Sequence, residues 1–157
     1  MTAWNIIIIK SKESKKMKII ALWGKHDSGK TTTIKLFRDI LLKGGAKERK
    51  IVEGYDFISE FTIQGKKVGV ISGGDTKEIL EGNFGQLSKG CDVVICPSRT
   101  KGETVHYLEN SVLSKGDLIW IRKARIESTG KYCIKRERDA VNLLQAEILY
   151  EELKLQL

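Results

Sequence analysis

Residues Gly24 to Thr31 read G-K-H-D-S-G-K-T, which matches the spacing G-x-x-x-x-G-K-[ST] in full. Glycines at both ends of such a segment let the backbone turn closely, so that successive N–H groups can point inward at one anion. A lysine follows the second glycine, and a hydroxyl side chain follows the lysine. The segment therefore predicts a loop that wraps around a phosphate chain between a strand and a helix.

The sequence on either side of this loop has the pattern that such a loop needs. Lys18–Trp23 is a short apolar run with two β-branched residues, which is typical of a buried parallel strand. Apolar side chains recur at helical spacing between Thr33 and Lys43, and Gly44-Gly45 is a natural stop for that helix. The alternative is a surface turn of glycine and serine that binds nothing.

The rest of the chain alternates between apolar runs and helical patterns. Residues 57–64 alternate apolar and polar side chains and turn into the apolar run 68–71, which predicts a hairpin with one solvent-facing side. Further strands are predicted at 92–96, ended by Pro97, and at 117–122. Residues 51–55 are interpreted as a weak strand or loop. Helices are predicted at 104–114 and 136–155, with an irregular helix in the loop 76–88.

This order of elements predicts an α/β fold, a three-layer α/β/α sandwich with a mostly parallel sheet and one antiparallel hairpin strand. Ligands of such sheets bind at the carboxyl ends of the strands. We therefore expect residues 72–76, 97–103 and 122–125 to face the phosphate loop.

Length and composition indicate one domain of ordinary globular type. The chain has 157 residues, of which 41% are hydrophobic and 31% charged, and its net charge is +8. Five lysines and one glutamate in residues 1–18 account for half of that charge. Residues 1–16 are interpreted as a basic N-terminal extension, an upstream start or an extra edge strand, and 17–157 as a single domain that contains the loop.

Other features favour a cytoplasmic protein without a membrane anchor. No apolar run approaches the length of a transmembrane helix, and the N-terminal basic cluster follows the apolar residues instead of preceding them as in a secretory signal. Cys91, Cys96 and Cys133 are odd in number and lack metal-ligand spacing. They are predicted to be buried, reduced thiols.

With the loop and its flanking elements in place, the chain resembles the P-loop NTPase superfamily over residues 17–157. The resemblance implies an NTP hydrolase or phosphotransferase that binds ATP or GTP with Mg²⁺. Lys30 would reach the outer phosphates, and the hydroxyl of Thr31 would ligate the metal. The predicted nucleotide-binding residues are Gly24, Lys25, His26, Asp27, Ser28, Gly29, Lys30, Thr31 and Thr32.

Two further residues are candidates for the reaction. Members of this superfamily carry an aspartate at the end of a buried strand near the metal. Here Ser72 occupies that position and Asp75 follows, so Asp75 is the predicted magnesium-side acid, with a helix N-cap as the alternative. Arg99 is the predicted cation for the charge that develops on the transferred phosphoryl group, with a solvated loop arginine as the alternative.

The acceptor and the wider role stay open. Gly73-Gly74 is similar to the acceptor turn of shikimate-type kinases, which favours a small-molecule acceptor. Lys25 is similar to the signature lysine of Min/Par-type ATPases, and residues 100–103 (T-K-G-E) are similar to the guanine motif of Ras-like GTPases, which favours a switch or assembly protein. Glu103 stands where that motif has an aspartate, so adenine is predicted. The basic leader and the cluster at 122–138 leave a nucleic-acid-linked ATPase as a third alternative.

Overall fold

The computed structural model describes residues 17–74, 76–111, 118–125 and 135–157. Within these ranges the chain forms six strands and four helices, and none of these helices is long and apolar enough to cross a membrane. In chain order they are β1 Lys18–Trp23, α1 Lys30–Lys43, β2 Lys47–Val52, β3 Ile58–Ile63, β4 Lys66–Ile71, α2 Lys77–Gln86, β5 Val93–Ser98, α3 Glu103–Ser111, β6 Leu118–Arg122 and α4 Lys135–Gln156. The N-terminal extension 1–16, Asp75 and Cys133 lie outside the described residues.

The six strands form one mixed sheet in the order β2-β3-β4-β5-β1-β6. β4, β5, β1 and β6 pair in parallel, whereas β2 with β3 and β3 with β4 pair antiparallel. The expected three-layer sandwich on a mostly parallel sheet is therefore wrong. The antiparallel end holds two strands instead of one, and the strand order does not clearly match that of a P-loop sandwich.

β2 is the strand that the sequence did not predict. Its first four residues, Lys47 to Lys50, are all charged, and the weak strand signal was confined to the residues after them. β2 lies at the edge of the sheet, where most of its side chains are exposed or partly exposed. Pairing with β3 therefore sets its conformation, because strand propensity depends strongly on position in the sheet.

β1 lies inside the sheet and contributes to apolar clusters on both faces. Ile20 and Leu22 belong to a cluster with residues of α1 and α4, whereas Ile19 and Ala21 belong to a second cluster with residues of α2 and α3. This alternation follows from the two-residue period of a strand. All four side chains are fully buried, so packing on both faces holds in place the end of β1 from which the loop begins.

Pro97 does not end β5, which continues to Ser98 and pairs with β1 along its whole length. On the other side, pairing with β4 is complete at Ile95. The last residues of β5 thus have one paired neighbour, and a proline is tolerated where a strand has an unpaired side.

Glu60 of β3 lies on the side that the sequence predicted to face solvent, yet it is buried. Its carboxylate accepts a hydrogen bond from the Ser88 backbone N–H and pairs with the Arg49 guanidinium at 3.0 Å. Burial raises the pKa of Glu60, but the hydrogen bonds from Ser88 and the contact with Arg49 outweigh burial, so that its pKa lies below the ordinary value. Glu60 thus ties β3 to β2 and to the start of the turn before β5.

Because the pKa of Glu60 is lower in the folded chain than in the unfolded chain, its ionised form stabilises the fold at neutral pH. This contribution is lost as the pH falls through the folded-state value. We expect Glu60→Gln to lower the free energy of unfolding at pH 7 by roughly 1–3 kcal/mol, with a smaller difference at pH 3.5. Urea unfolding at both pH values measures this, and a difference that grows on acidification would contradict it.

Two of the three cysteines are described, and both are free thiols in buried positions, as predicted. Burial raises the pKa of the Cys91 thiol to about 11. Burial also raises the pKa of Cys96, which is completely enclosed. Both therefore stay protonated at neutral pH and act as small apolar core residues.

Candidate functional site

The loop between β1 and α1 is anchored at its start by neighbouring strands. The Gly24 N–H donates to the Ser98 carbonyl at 3.0 Å, and the Lys123 N–H donates to the Trp23 carbonyl at 2.8 Å. Within the loop, Asp27 and Gly29 adopt left-handed backbone conformations, with φ of 58° and 96°. Alternating backbone handedness of this kind turns successive N–H groups toward one concave side, where an anion can bind.

Gly29 is required at its position for two reasons. Its φ of 96° disfavours any residue with a Cβ, and a Cβ there would lie 2.9 Å from Oδ1 of Asn142. The same Asn142 oxygen accepts a hydrogen bond from the Thr33 hydroxyl at 3.4 Å. The second glycine of the motif therefore lets the loop pass closely over α4.

The Lys30 side chain is 94% buried, with 6% of its surface exposed, and its ammonium group lies over the start of the loop. Nζ donates to the carbonyl oxygen of Gly24 at 2.6 Å and to that of Lys25 at 3.1 Å. A buried ammonium group needs such partners because an isolated charge is costly to bury. The fold thus holds a positive charge at the loop, where the phosphate chain is predicted.

Ser28 provides a polar atom that the described residues do not satisfy. Its Oγ is buried and has no hydrogen-bond partner among them. Buried hydroxyl groups nearly always have a hydrogen-bond partner, so a buried hydroxyl without a described partner in this loop is unusual. A Cβ on Gly24 would lie 2.8 Å from this oxygen, so the unsatisfied hydroxyl lies inside the turn of the loop.

α1 starts at Lys30 directly after the loop, and no side chain caps its N-terminus. Its first turn also contains no acidic residue. The first amide groups of a helix have no partners within the helix, and they carry the positive end of the helix dipole. A 14-residue helix in this position favours an anion at the loop.

The loop separates two cavities. The first, of about 350 Å³, lies between the loop and the end of β4. Thr31 faces this side, and its hydroxyl donates to the Ser72 carbonyl at 3.3 Å. The residues that line the cavity opposite the loop are Tyr55, Asp56, Ser72, Gly73, Gly74, Ile79 and Pro97.

Asp56 is a carboxylate in this first cavity that the sequence did not single out. The Ser72 hydroxyl donates to Asp56 Oδ1 at 3.5 Å and accepts from the Phe57 N–H at 2.7 Å. A Cβ on Gly73 would lie 2.8 Å from the Asp56 carboxyl carbon, so that glycine leaves room for the carboxylate. Asp56 lies in an irregular segment before β3 and matches no motif, which is why no sequence signal marked it.

The donor atoms of this cavity suit a hard cation. Mg²⁺ prefers oxygen ligands and keeps several waters, so it needs few protein side chains when phosphates complete its shell. Thr31 Oγ1 and the Asp56 carboxylate are oxygens on the same side of the loop. Among the described residues, no group of three or more His, Cys, Asp and Glu side chains could hold a metal by itself.

The second cavity, of about 360 Å³, lies on the other side of the loop, between β6 and α4. It shares Asp27, Ser28, Gly29 and Thr32 with the first cavity. Its far wall carries more basic than acidic side chains, and consists of Lys123, Ala124, Arg125, Lys135, Arg138, Asp139, Val141 and Asn142. The cavity is therefore cationic and directly adjacent to the phosphate loop.

The wall of this second cavity is held by a buried glutamine of α4. Gln145 accepts from the Ala124 N–H at 2.7 Å and donates to the Arg122 carbonyl at 2.8 Å. The Lys123 side chain is also buried, and burial lowers its pKa. A Cβ on Gly24 would lie 2.9 Å from Lys123 Cβ, so the first glycine of the motif permits this close approach.

The structure places the other predicted residues in different locations. Arg99 lines neither of these cavities but a third one, with Trp23 and Trp120. Lys25 is exposed and lines neither cavity beside the loop. His26 lines the first cavity, and its Nε2 lies 3.3 Å from Asp27 Oδ2 at the exposed tip of the loop. Asp75 lies outside the described residues. The N-cap of α2, which was the alternative role for Asp75, belongs to Thr76.

Comparison of the chain with protein-family models, with curated proteins and with solved structures finds no match. The loop and the two cavities beside it are therefore the features of the chain that bear on its function.

Proposed function

We propose that this protein binds a nucleoside triphosphate with Mg²⁺ in the loop Gly24–Thr31 and transfers its γ-phosphoryl group to water or to a small acceptor. The observation that carries the proposal is the buried Lys30 ammonium group, held over a loop whose backbone is turned for an anion and which leads into the uncapped start of α1. The sequence motif and the local structure support the same ligand.

The two cavities suggest how the ligand would be oriented. The outer phosphates and the metal would lie on the first side, where Thr31 and Asp56 supply oxygens. The nucleoside would lie on the second side, between Lys123–Arg125 and α4. In this arrangement Lys30 stabilises charge on the phosphates, and Asp56 would hold the metal or orient the attacking group.

We favour ATP over GTP. Glu103, the residue that resembled the guanine motif, lies in the first turn of α3 and lines neither cavity beside the loop. Asp139 and Asn142 line the nucleoside side, as do the basic side chains of Arg125, Lys135 and Arg138, so polar groups that could discriminate between bases are present there. We place the activity in the cytoplasm, a reducing compartment compatible with free thiols at Cys91 and Cys96.

Titration calorimetry with ATP and with GTP, each with and without Mg²⁺, tests the proposed function. We expect ATP with Mg²⁺ to bind, and to stabilise the fold by about 2.7 kcal/mol at a hundredfold excess over Kd. Phosphate release, with and without candidate acceptors, then separates hydrolysis from transfer. Absence of any triphosphate binding would refute the proposal. A tenfold preference for GTP that Asp139→Asn removes would refute the choice of base.

The role of Asp56 has its own test. We expect Asp56→Asn to lower the gain in affinity that Mg²⁺ confers about tenfold, while affinity in the presence of a chelator stays unchanged. A neutral amide is a poorer ligand for Mg²⁺ than a carboxylate. Asp39→Asn, an exposed position in α1, is the matched control. Equal behaviour of the two variants would exclude Asp56 from the metal side.

A further inference from the structure

A second candidate binding site lies beside the predicted triphosphate site, at the carboxyl ends of β5, β1 and β6. Trp120 is aligned with Ala21 in the neighbouring strand, and Trp23 is two residues beyond Ala21. Side chains two residues apart in a strand lie on the same face of a sheet, so both indole rings belong to the face that α3 packs against. Both tryptophans are partly exposed.

These two rings line a cavity of about 290 Å³ together with Arg99, Thr100 and Val105. None of these five residues lines either cavity beside the phosphate loop. The volume is at the lower end of the range for small-ligand pockets. It is therefore large enough for one planar ring, and its walls are aromatic and cationic.

Basic side chains flank the tryptophans. Ser98, Trp23 and Arg122 are aligned across β5, β1 and β6, so Arg99 and Arg122 lie on opposite sides of Trp23. The Arg122 guanidinium carbon lies 5.5 Å from the centre of the Trp23 ring. Both arginines are exposed, as is Lys101, whereas Glu103 is the exposed acid of the same segment. Three of these four charged side chains are positive, so this described part of the cavity's surroundings carries a net positive charge.

Partly exposed aromatic rings next to cations are the combination by which many proteins bind single-stranded nucleic acids. Bases stack on the rings whatever their identity, and the backbone phosphates contact the basic side chains. An acidic peptide would use the cations but would gain little from two indole rings. A duplex keeps its bases stacked on one another, so it cannot place a base between Trp23 and Trp120.

We propose that the cavity lined by Trp23, Trp120 and Arg99 binds a base of single-stranded DNA or RNA, with Arg99 and Arg122 contacting the adjoining phosphates. This site does not use the phosphate loop. Oligomer binding can therefore be present or absent independently of triphosphate binding.

Fluorescence anisotropy of a labelled twelve-nucleotide thymidine oligomer, measured with the full chain, tests the proposal. We expect Trp120→Leu and Arg99→Ala each to weaken binding at least fivefold at 0.15 M salt, and Trp120→Phe to stay within threefold of the parent. Loss of the Arg99 phosphate contact should also reduce the slope of log K against log salt by about 0.7. Arg99 is exposed, so its replacement leaves the core intact and keeps the test decisive even if a tryptophan variant fails to fold.

Two control variants test whether oligomer binding depends on this cavity, and not on positive charge elsewhere or on the phosphate loop. Lys89→Ala removes an exposed cation in the turn before β5. This turn lies at the amino end of β5, whereas the cavity lies at its carboxyl end, so the variant should leave oligomer binding unchanged. Lys30→Ala should also leave it unchanged, because the loop is not part of the site. Three results would overturn the proposal: Arg99→Ala within twofold of the parent, a duplex bound as tightly as the single strand, or equal competition by polyglutamate.

Discussion

Replacing Lys30 with alanine should weaken triphosphate binding by about 30-fold or more. The ammonium group is a buried cation at the loop, and removal of one partner from a buried, hydrogen-bonded charge contact typically costs 2–5 kcal/mol. The carbonyls of Gly24 and Lys25 each lose a hydrogen bond, and no apolar core side chain is removed. The fold should therefore persist, which circular dichroism can verify beside calorimetry.

Two variants complete this experiment. Lys43→Ala removes an equal charge from the last turn of the same helix, and it should bind triphosphate like the parent. Lys30→Met keeps the length of the side chain without its charge, so it should behave like Lys30→Ala if charge is what matters. Affinity of Lys30→Ala within twofold of the parent would show that the loop is not a phosphate site.

Phe37→Ala should lower the free energy of unfolding by about 3–5 kcal/mol, the range for removal of a fully buried aromatic ring. Phe37 lies on α1 and has no exposed surface, in the cluster that joins the sheet to α1 and α4. A loss of this size is a large part of the 5–15 kcal/mol that a typical domain has. Urea unfolding measures it.

Leu42→Ala is the matched control for this variant. It removes an apolar side chain from the same helix, but Leu42 is 43% exposed. Its replacement should cost less than about 1 kcal/mol, as is usual for surface positions. Similar losses for the two variants would contradict the described packing of α1.

The phosphate loop and α1 could be predicted because their signals are local. The glycines, lysine and threonine of the motif determine the backbone geometry of only eight residues. The helical spacing of apolar side chains in α1 indicates a helix with one buried face. The same holds for the apolar runs of β1 and β4. Each of these segments has the structure that its own sequence favours.

What could not be predicted depends on partners far along the chain. β2 is a strand because β3 pairs with it, although its own residues are mostly charged. Glu60 is buried because Ser88 and Arg49 satisfy its carboxylate. Asp56 reaches the first cavity through Ser72, sixteen residues away. Arg99 follows β5 as expected, but the position of Trp23 places it beside a different cavity.

The charges of β2 have a consequence for how the molecules meet one another. Lys47, Arg49 and Lys50 are exposed along the outer edge of the sheet. If two copies approached through this edge, many registers of a backbone ladder would bring like charges opposite each other, at a spacing of about 5 Å. The repulsion opposes extension of the sheet from one molecule into the next through β2. Growth into fibres through this edge is opposed in the same way.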